Sequence, residues 1–291
     1  MDLEDLQKHL DQVMNEQNNR AIPDFEGYSP FEMHHILHFT FESNSPIILQ
    51  KLADSDFFKC PMFNLVKYYL DLVKNLGEIK LTAKGFLPTK IVQDIYNKGF
   101  LEEYQFSSGI SKLYKETDSL TVNLTKLLAE LAGFTKKRNG KLSLTKTGER
   151  IASNNHELFE LIFKTMTQKF SWAFYDGYED QQFGQFGFGF SLILLSKYGA
   201  EKRLDNFYSG KYFKAFPQFL DSITPTYGTV EEYASHCYSV RTFQRFLSFF
   251  GLIEIEKQGI GLDRKIFIKK TELFDKLIKV RPHNTRYKTQ G

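Results

Sequence analysis

Residues 136–152 read KKRNGKLSLTKTGERIA. Lys136, Lys137, Arg138 and Lys141 surround Asn139-Gly140, and the side chains on either side alternate with the period of two that strands require. Asn and Gly both tolerate the positive φ of a type I′ turn, so the stretch predicts a two-stranded hairpin. Thr147-Gly148 then leads into a helix carrying ERIA. The basic tip has two readings: a wing that touches a phosphate backbone, or a solvated edge whose lysines guard against aggregation.

Outward from this hairpin the pattern is helix, strand, helix, helix, hairpin. Leu65, Val66, Tyr69, Leu70, Val73 and Leu76 fall at helical spacing and Gly77 stops the run. EIKLT predicts a short strand, and Leu87-Pro88 starts a helix through IVQDIY to Gly99. SLTVNLTKLLAELAG predicts the helix before the hairpin, separated from the previous one by the irregular YQFSSGISKLYKETD. A similar order returns near the C-terminus. Thr229 caps a helix containing VEEYASHC, and Ser239, after a brief turn, caps SVRTFQRFLSFFG. LIEIE and KIFIKK then form strands around QGIGLDR, and TELFDKLI closes the block. IKLTAKG, LSLTKTG and IFIKKTE align loosely as a short internal repeat.

In the helix after Ser239, Val240, Phe243, Phe246, Leu247 and Phe250 make an apolar face, while Arg241, Gln244, Arg245 and Ser248 stand at i, i+3, i+4 and i+7 as an outward stripe. Two tightly joined helices followed by a hairpin resemble the winged-helix superfamily over about residues 186–280, and residues 61–153 resemble it less completely. GYSPFEMHHIL, LTAKGFLPTKIV and LSLTKTGERIA also resemble an uncharacterised bacterial family found partly in plasmid open reading frames. The winged-helix resemblance implies DNA binding. Arg241, Gln244 and Arg245 would read base edges in the major groove, while Arg264 and Lys265 on the second wing, and Lys136, Lys137, Arg138 and Lys141 on the first, would contact phosphate or the minor groove. The competing reading makes these residues the soluble side of modules that pair with proteins.

The rest of the chain bounds the answer. Hydrophobic residues make up 42% and charged residues 25%, the balance of a soluble protein, and 29 Phe and 15 Tyr against one Trp predict a core dominated by Phe. No apolar run approaches the roughly 20 residues of a membrane helix. The opening MDLEDLQKHLDQ lacks the basic region and apolar stretch of a signal peptide, so a cytoplasmic protein is expected. Cys60 and Cys237 belong to no metal or disulfide pattern and are expected as packed, reduced thiols.

Leu3, Leu6, Leu10 and Val13 line one face of an acidic first helix, and Ser29-Pro30-Phe31-Glu32 starts a second. Residues 1–60 hold four basic residues against eleven acidic, and residues 259–291 hold nine basic against three acidic. Opposite signs at the two ends predict a contact between them, one that would mask a nucleic-acid surface until a partner released it.

His34 and His38, with Glu42 further on, share a helical face but lack the HExxH pattern, so no metal is assigned. FGQFGFGF at 183–190 lacks the GK[ST] end of a phosphate loop and is expected to be a hinge whose aromatics anchor the C-terminal module. Asp176, Glu179 and Asp180 read as a polar loop as readily as an acid/base set, and no cofactor is implied.

The expected architecture is mainly α with small antiparallel β-hairpins. It comprises an acidic helical region (1–60), a winged-helix-like module (61–153), a connector with the Gly/Phe hinge (154–185), a second such module (186–280) and a basic tail (281–291). The expected function is non-enzymatic DNA binding, regulatory or plasmid-associated. The alternative is a protein-interaction scaffold whose acidic N-terminal helix holds a partner.

Overall fold

The computed structural model describes residues 3–178, 182–221, 223–259 and 264–283. Helices α1 (Leu3–Asn19) and α2 (Pro30–His38) precede β1 (Ile47–Leu49) and α3 (Asp54–Phe57). Next along the chain are α4 (Pro61–Leu76), β2 (Glu78–Lys80), α5 (Thr89–Tyr96), α6 (Tyr104–Ser107), α7 (Leu120–Leu131), β3 (Thr135–Arg138), β4 (Lys141–Leu144), α8 (Lys146–Ile151) and α9 (Asn155–Gln168). Then come α10 (Phe188–Tyr198), β5 (Arg203–Leu204), α11 (Asp205–Ala215), α12 (Gln218–Asp221) and α13 (Val230–Tyr238). A π-helix (Ser239–Leu247), β6 (Ile253–Gln258), β7 (Lys265–Lys270), α14 (Glu272–Leu277) and β8 (Ile278–Val280) complete the chain. The fold is α+β, mainly helical with small antiparallel sheets.

Two compact units divide these elements. One takes residues 51–177 and 246–252. In it the hairpin β3–β4 pairs Thr135 with Leu144 and Arg138 with Lys141, and β2 adds to the far edge of β4, giving the order β2-β4-β3. Asn139 and Gly140 take φ of 51° and 69°, as the turn requires. Val66, Leu70 and Val73 of α4 and Leu128 of α7 are buried with Leu142 of the sheet. Phe163 of α9 lies edge-on to Phe250 at 5.0 Å, and Trp172 packs on Phe246 at 4.7 Å, so the short return segment 246–252 completes this core.

The other unit takes residues 1–50, 178–245 and 253–291. Its sheet has the order β5-β7-β6, with Ile255 opposite Ile268. A further pair joins β1 to β8, Ile47 opposite Val280, and Arg281 N donates to Pro46 O at 2.8 Å. The N-terminal segment through residue 50 and the C-terminal segment are therefore parts of one unit, where the sequence pattern sets out an acidic helical region over residues 1–60 and a basic tail over 281–291. The two segments meet in a backbone ladder, β1 against β8. Of the expected basic tail, residues 284–291 lie outside the described residues.

Ionic ties reinforce this unit. Glu26 accepts from Lys197 (2.6 Å), Lys211 (2.7 Å) and Tyr198 (2.6 Å). Burial pushes its carboxyl up, and these three donors outweigh that effect and hold it below the ordinary range. Glu32 completes the predicted capping box with Ser29 and also meets His283 Nδ1 at 2.5 Å. The Gly/Phe stretch is packed: Phe183 meets Phe213 and Phe219, Phe186 meets Phe216 and Phe219, and Phe190 meets Phe216, within this same unit. Gly184 takes a φ of 74°, and a Cβ there would stand 2.7 Å from Thr242 Oγ1, so this glycine serves close packing.

The backbone leaves two glycines with opposite tolerances. A Cβ at Gly148 of α8 would lie 2.1 Å from Phe134 O, a backbone atom that cannot yield, whereas at Gly210 of α11 it meets nothing within 4 Å. Gly148→Ala is expected to lower the thermal midpoint markedly or prevent folding. Gly210→Ala, adding helix propensity in open space, should stabilise by about 0.5–1 kcal/mol. Calorimetry of the two variants beside the parent protein checks both signs.

Candidate interaction surface

The basic hairpin is exposed from Lys136 to Lys141. Two of its four charges are engaged: Lys137 pairs with Glu130 at 2.9 Å and Lys141 with Glu78 at 2.6 Å. Lys136 and Arg138 have no ion pair among the described residues, so the hairpin presents two cations to solvent. Arg264 and Lys265 are exposed at the start of β7, and residues 260–263 lie outside the described residues.

The helix that precedes each hairpin is largely internal. In α7, Thr121, Val122, Leu124, Thr125, Lys126, Leu128 and Ala129 are buried. Glu116, with 0% exposure, receives Lys126 Nζ at 2.9 Å on both oxygens, Leu87 N at 2.6 Å and Asn123 Nδ2 at 2.6 Å. Lys126 also donates to Gly85 O at 3.1 Å. Glu103 sits over the N-terminus of α7 and accepts from Leu120 N, Thr121 N, Thr121 Oγ1 and Ser119 Oγ. A carboxylate there satisfies amides that the helix leaves open and meets the positive end of its dipole.

Glu116 comes from the stretch that reads as irregular in sequence, and Glu103 stands immediately before it. They form a cover over α7 that sequence reasoning misses. One signal was present: Lys126 shares the apolar face of Val122 and Ala129 at i+4 and i+7, and a lysine in such a place needs a buried carboxylate.

The C-terminal helix departs further from expectation. Ser239 has φ −60° and ψ −45°, and its hydroxyl donates to Asp205 Oδ2 at 2.6 Å, so the chain passes from α13 into the next helical segment without a turn. From Ser239 to Leu247 the helix is of the wide π type. Its i→i+5 bonding takes more residues per turn than the 3.6 of an α-helix, so positions spaced i, i+3, i+4 and i+7 no longer share one face.

Arg241 accordingly turns inward and is 0% exposed. Its guanidinium donates to Phe183 O at 3.4 Å and Tyr178 O at 3.5 Å and lies 5.8 Å from the Tyr178 ring. Thr242 and Phe243 are buried beside it, while Gln244, Arg245 and Ser248 are half-buried. Gln244 Oε1 accepts from Lys257 at 3.2 Å. The expected outward stripe of Arg241, Gln244 and Arg245 is thus corrected: Arg241 is a core residue.

The remaining candidates from the sequence gather no site. His34 and His38 are exposed with ring centroids 4.8 Å apart, and no group of three or more potential metal ligands occurs among the described residues. Cys60 and Cys237 are buried free thiols, and burial pushes Cys60 up to about 12. Asp176 is half-buried, and Glu179 and Asp180 lie outside the described residues. No described helix is long and apolar enough to cross a membrane.

With this geometry in place, residues 59–157 match the family model described as Y4jL N-terminal domain. The match runs from the start of α4 into α9, and so spans β2-β4-β3, the cover and the basic hairpin. It agrees with the resemblance of this stretch to an uncharacterised family, and its description names no activity. No curated protein and no solved structure matches the chain.

The buried pair yields a test. Lys126→Met alone would strand a buried carboxylate and is expected to cost about 3–5 kcal/mol. Glu116→Gln/Lys126→Met together should recover much of that loss, because no uncompensated charge remains. Urea denaturation of the parent, both single variants and the double variant measures the coupling.

Proposed function

We propose that the chain is a non-enzymatic interaction scaffold built on two winged-helix modules. Two features support the modules: the order helix, strand, helix, helix, hairpin, and a first strand that pairs with the last strand of the hairpin in both sheets. The observation that carries the scaffold reading is the burial of the third helix in each. A helix that reads a major groove must offer side chains to base edges. Here Thr121, Thr125 and Lys126 lie under a carboxylate cover, and Arg241 is fully enclosed.

The buried charges also favour a non-enzymatic role. Glu116, Lys126 and Glu26 are each held by several donors or acceptors, so they act as ties. The partner surface of this reading is the acidic N-terminal helix α1, whose residues include none that are buried.

A second reading has one observation in its favour. Lys136 and Arg138 are exposed without ion-pair partners among the described residues and suit a phosphate backbone. DNA binding on this route is electrostatic and indifferent to sequence, consistent with a regulatory or plasmid-associated protein that touches DNA without reading it.

Fluorescence anisotropy with duplexes of different base composition, across a salt series, separates the readings. The electrostatic reading expects binding at low salt, equal for all duplexes, lost near physiological salt and reduced by Lys136→Ala/Arg138→Ala, whereas the scaffold reading expects no such binding. Tight, sequence-selective binding that survives physiological salt and disappears in Gln244→Ala would overturn it.

A further inference from the structure

The helix α1 is 17 residues long, and none of its side chains is buried. Leu3 is 86% exposed, Leu6 44%, Leu10 47% and Met14 59%, with Val13 half-buried beside them. A helix of this length is marginal in water without a packed face. Leu3, Leu6, Leu10 and Val13 alternate by three and four, the spacing that makes the seam of paired helices, and Met14 lies beside that seam.

The charges decide what fits this seam. With Leu3 and Leu10 at the a positions and Leu6 and Val13 at d, the flanking e and g positions are Gln7, Met14, His9 and Glu16. The acids Glu4, Asp5 and Asp11 fall at b and c, away from the line of contact. Asp11 also accepts from Gln7 Nε2 at 2.8 Å, and Glu16 from Gln12 Nε2 at 3.1 Å. A basic helix laid on the seam would find one carboxylate along its flanks. A second copy of the same helix brings its own leucines to the seam and sets His9 beside Met14 in a parallel pair, with no like-charge clash.

We propose that α1 is a self-association helix and that the chain pairs with a second copy through Leu3, Leu6, Leu10 and Val13. The proposal rests on the scaffold reading and specifies the partner at that surface. Two seams of this length bury less than the roughly 1,200 Å² at which standard interfaces begin, so the dimer is reversible and concentration-dependent.

Sedimentation equilibrium of the full chain, from about 5 to about 500 μM, tests it over the range where so small an interface associates. The parent protein should rise from monomer toward dimer mass. Leu6→Ala/Leu10→Ala should weaken the association at least tenfold while keeping the far-ultraviolet helix signal, because alanine is the best helix former. Lys8→Ala, at the outer f position, should dimerise as the parent does. A parent protein that stays monomeric at the highest concentration overturns the proposal, as does a Leu6→Ala/Leu10→Ala variant that associates as strongly as the parent. Neither result bears on the anisotropy comparison, and sequence-selective DNA binding would sink the scaffold reading without changing the sedimentation result.

Discussion

A buried carboxylate must be paired, and Glu116 is the place where this constraint shapes the molecule. A carboxylate with no exposure needs a cation and several hydrogen bonds to offset its lost hydration. Lys126, Asn123 and the amide of Leu87 supply them, and in doing so fasten α7 to the loop before α5 and to the long segment after α5. Glu103 does the same at the N-terminus of α7. What resembles a DNA-reading helix by its place in the chain is thereby converted into an internal strut. Such pairs add little net stability over a well-packed apolar core, but breaking one is costly, so the arrangement favours a single docking of the covering segment.

The unit that combines residues 1–50, 178–245 and 253–291 reaches a comparable end by a different route. There the helix itself widens. Over Ser239–Leu247 the π-type winding carries Arg241 into the interior, where carbonyls and the Tyr178 ring receive its guanidinium. On the proposed scaffold reading, the strand order is kept while Arg241, which would have read a base edge, lies inside. What remains outside is the hairpin cations in one unit and the leucine seam of α1 in the other.

Much of the architecture was legible from local rules. Asn139-Gly140 fixed the first hairpin, Ser29 with Glu32 and Thr229 with Glu232 marked helix starts, and the apolar period of residues 65–76 marked α4. These signals depend on neighbours within a turn or two of chain. The failures came where distant residues decide. The pairing of β1 with β8 joins segments more than 200 residues apart, and nothing in IIL or IKV names its partner. An α-helical period puts Arg241 on the outward stripe, but the segment is wound as a π-helix, with Phe243 packed on Tyr208 and Asp205 accepting from Ser239, residues distant in the chain. The cover over α7 was hidden because its stretch has no period at all, although Lys126 on an apolar face pointed to a buried carboxylate somewhere.

Arg241 belongs to the core while Arg138 belongs to the surface, and the scaffold reading stands on that contrast. Labelling the native protein with an arginine-selective dicarbonyl reagent, followed by peptide mass spectrometry, compares the two side chains in one sample. The account expects Arg138 to react at the rate of a solvated guanidinium and Arg241 to stay unmodified until the protein unfolds. Reaction of Arg241 at the rate of Arg138 under native conditions would contradict it, and would return the C-terminal helix to the surface as a candidate reader of DNA.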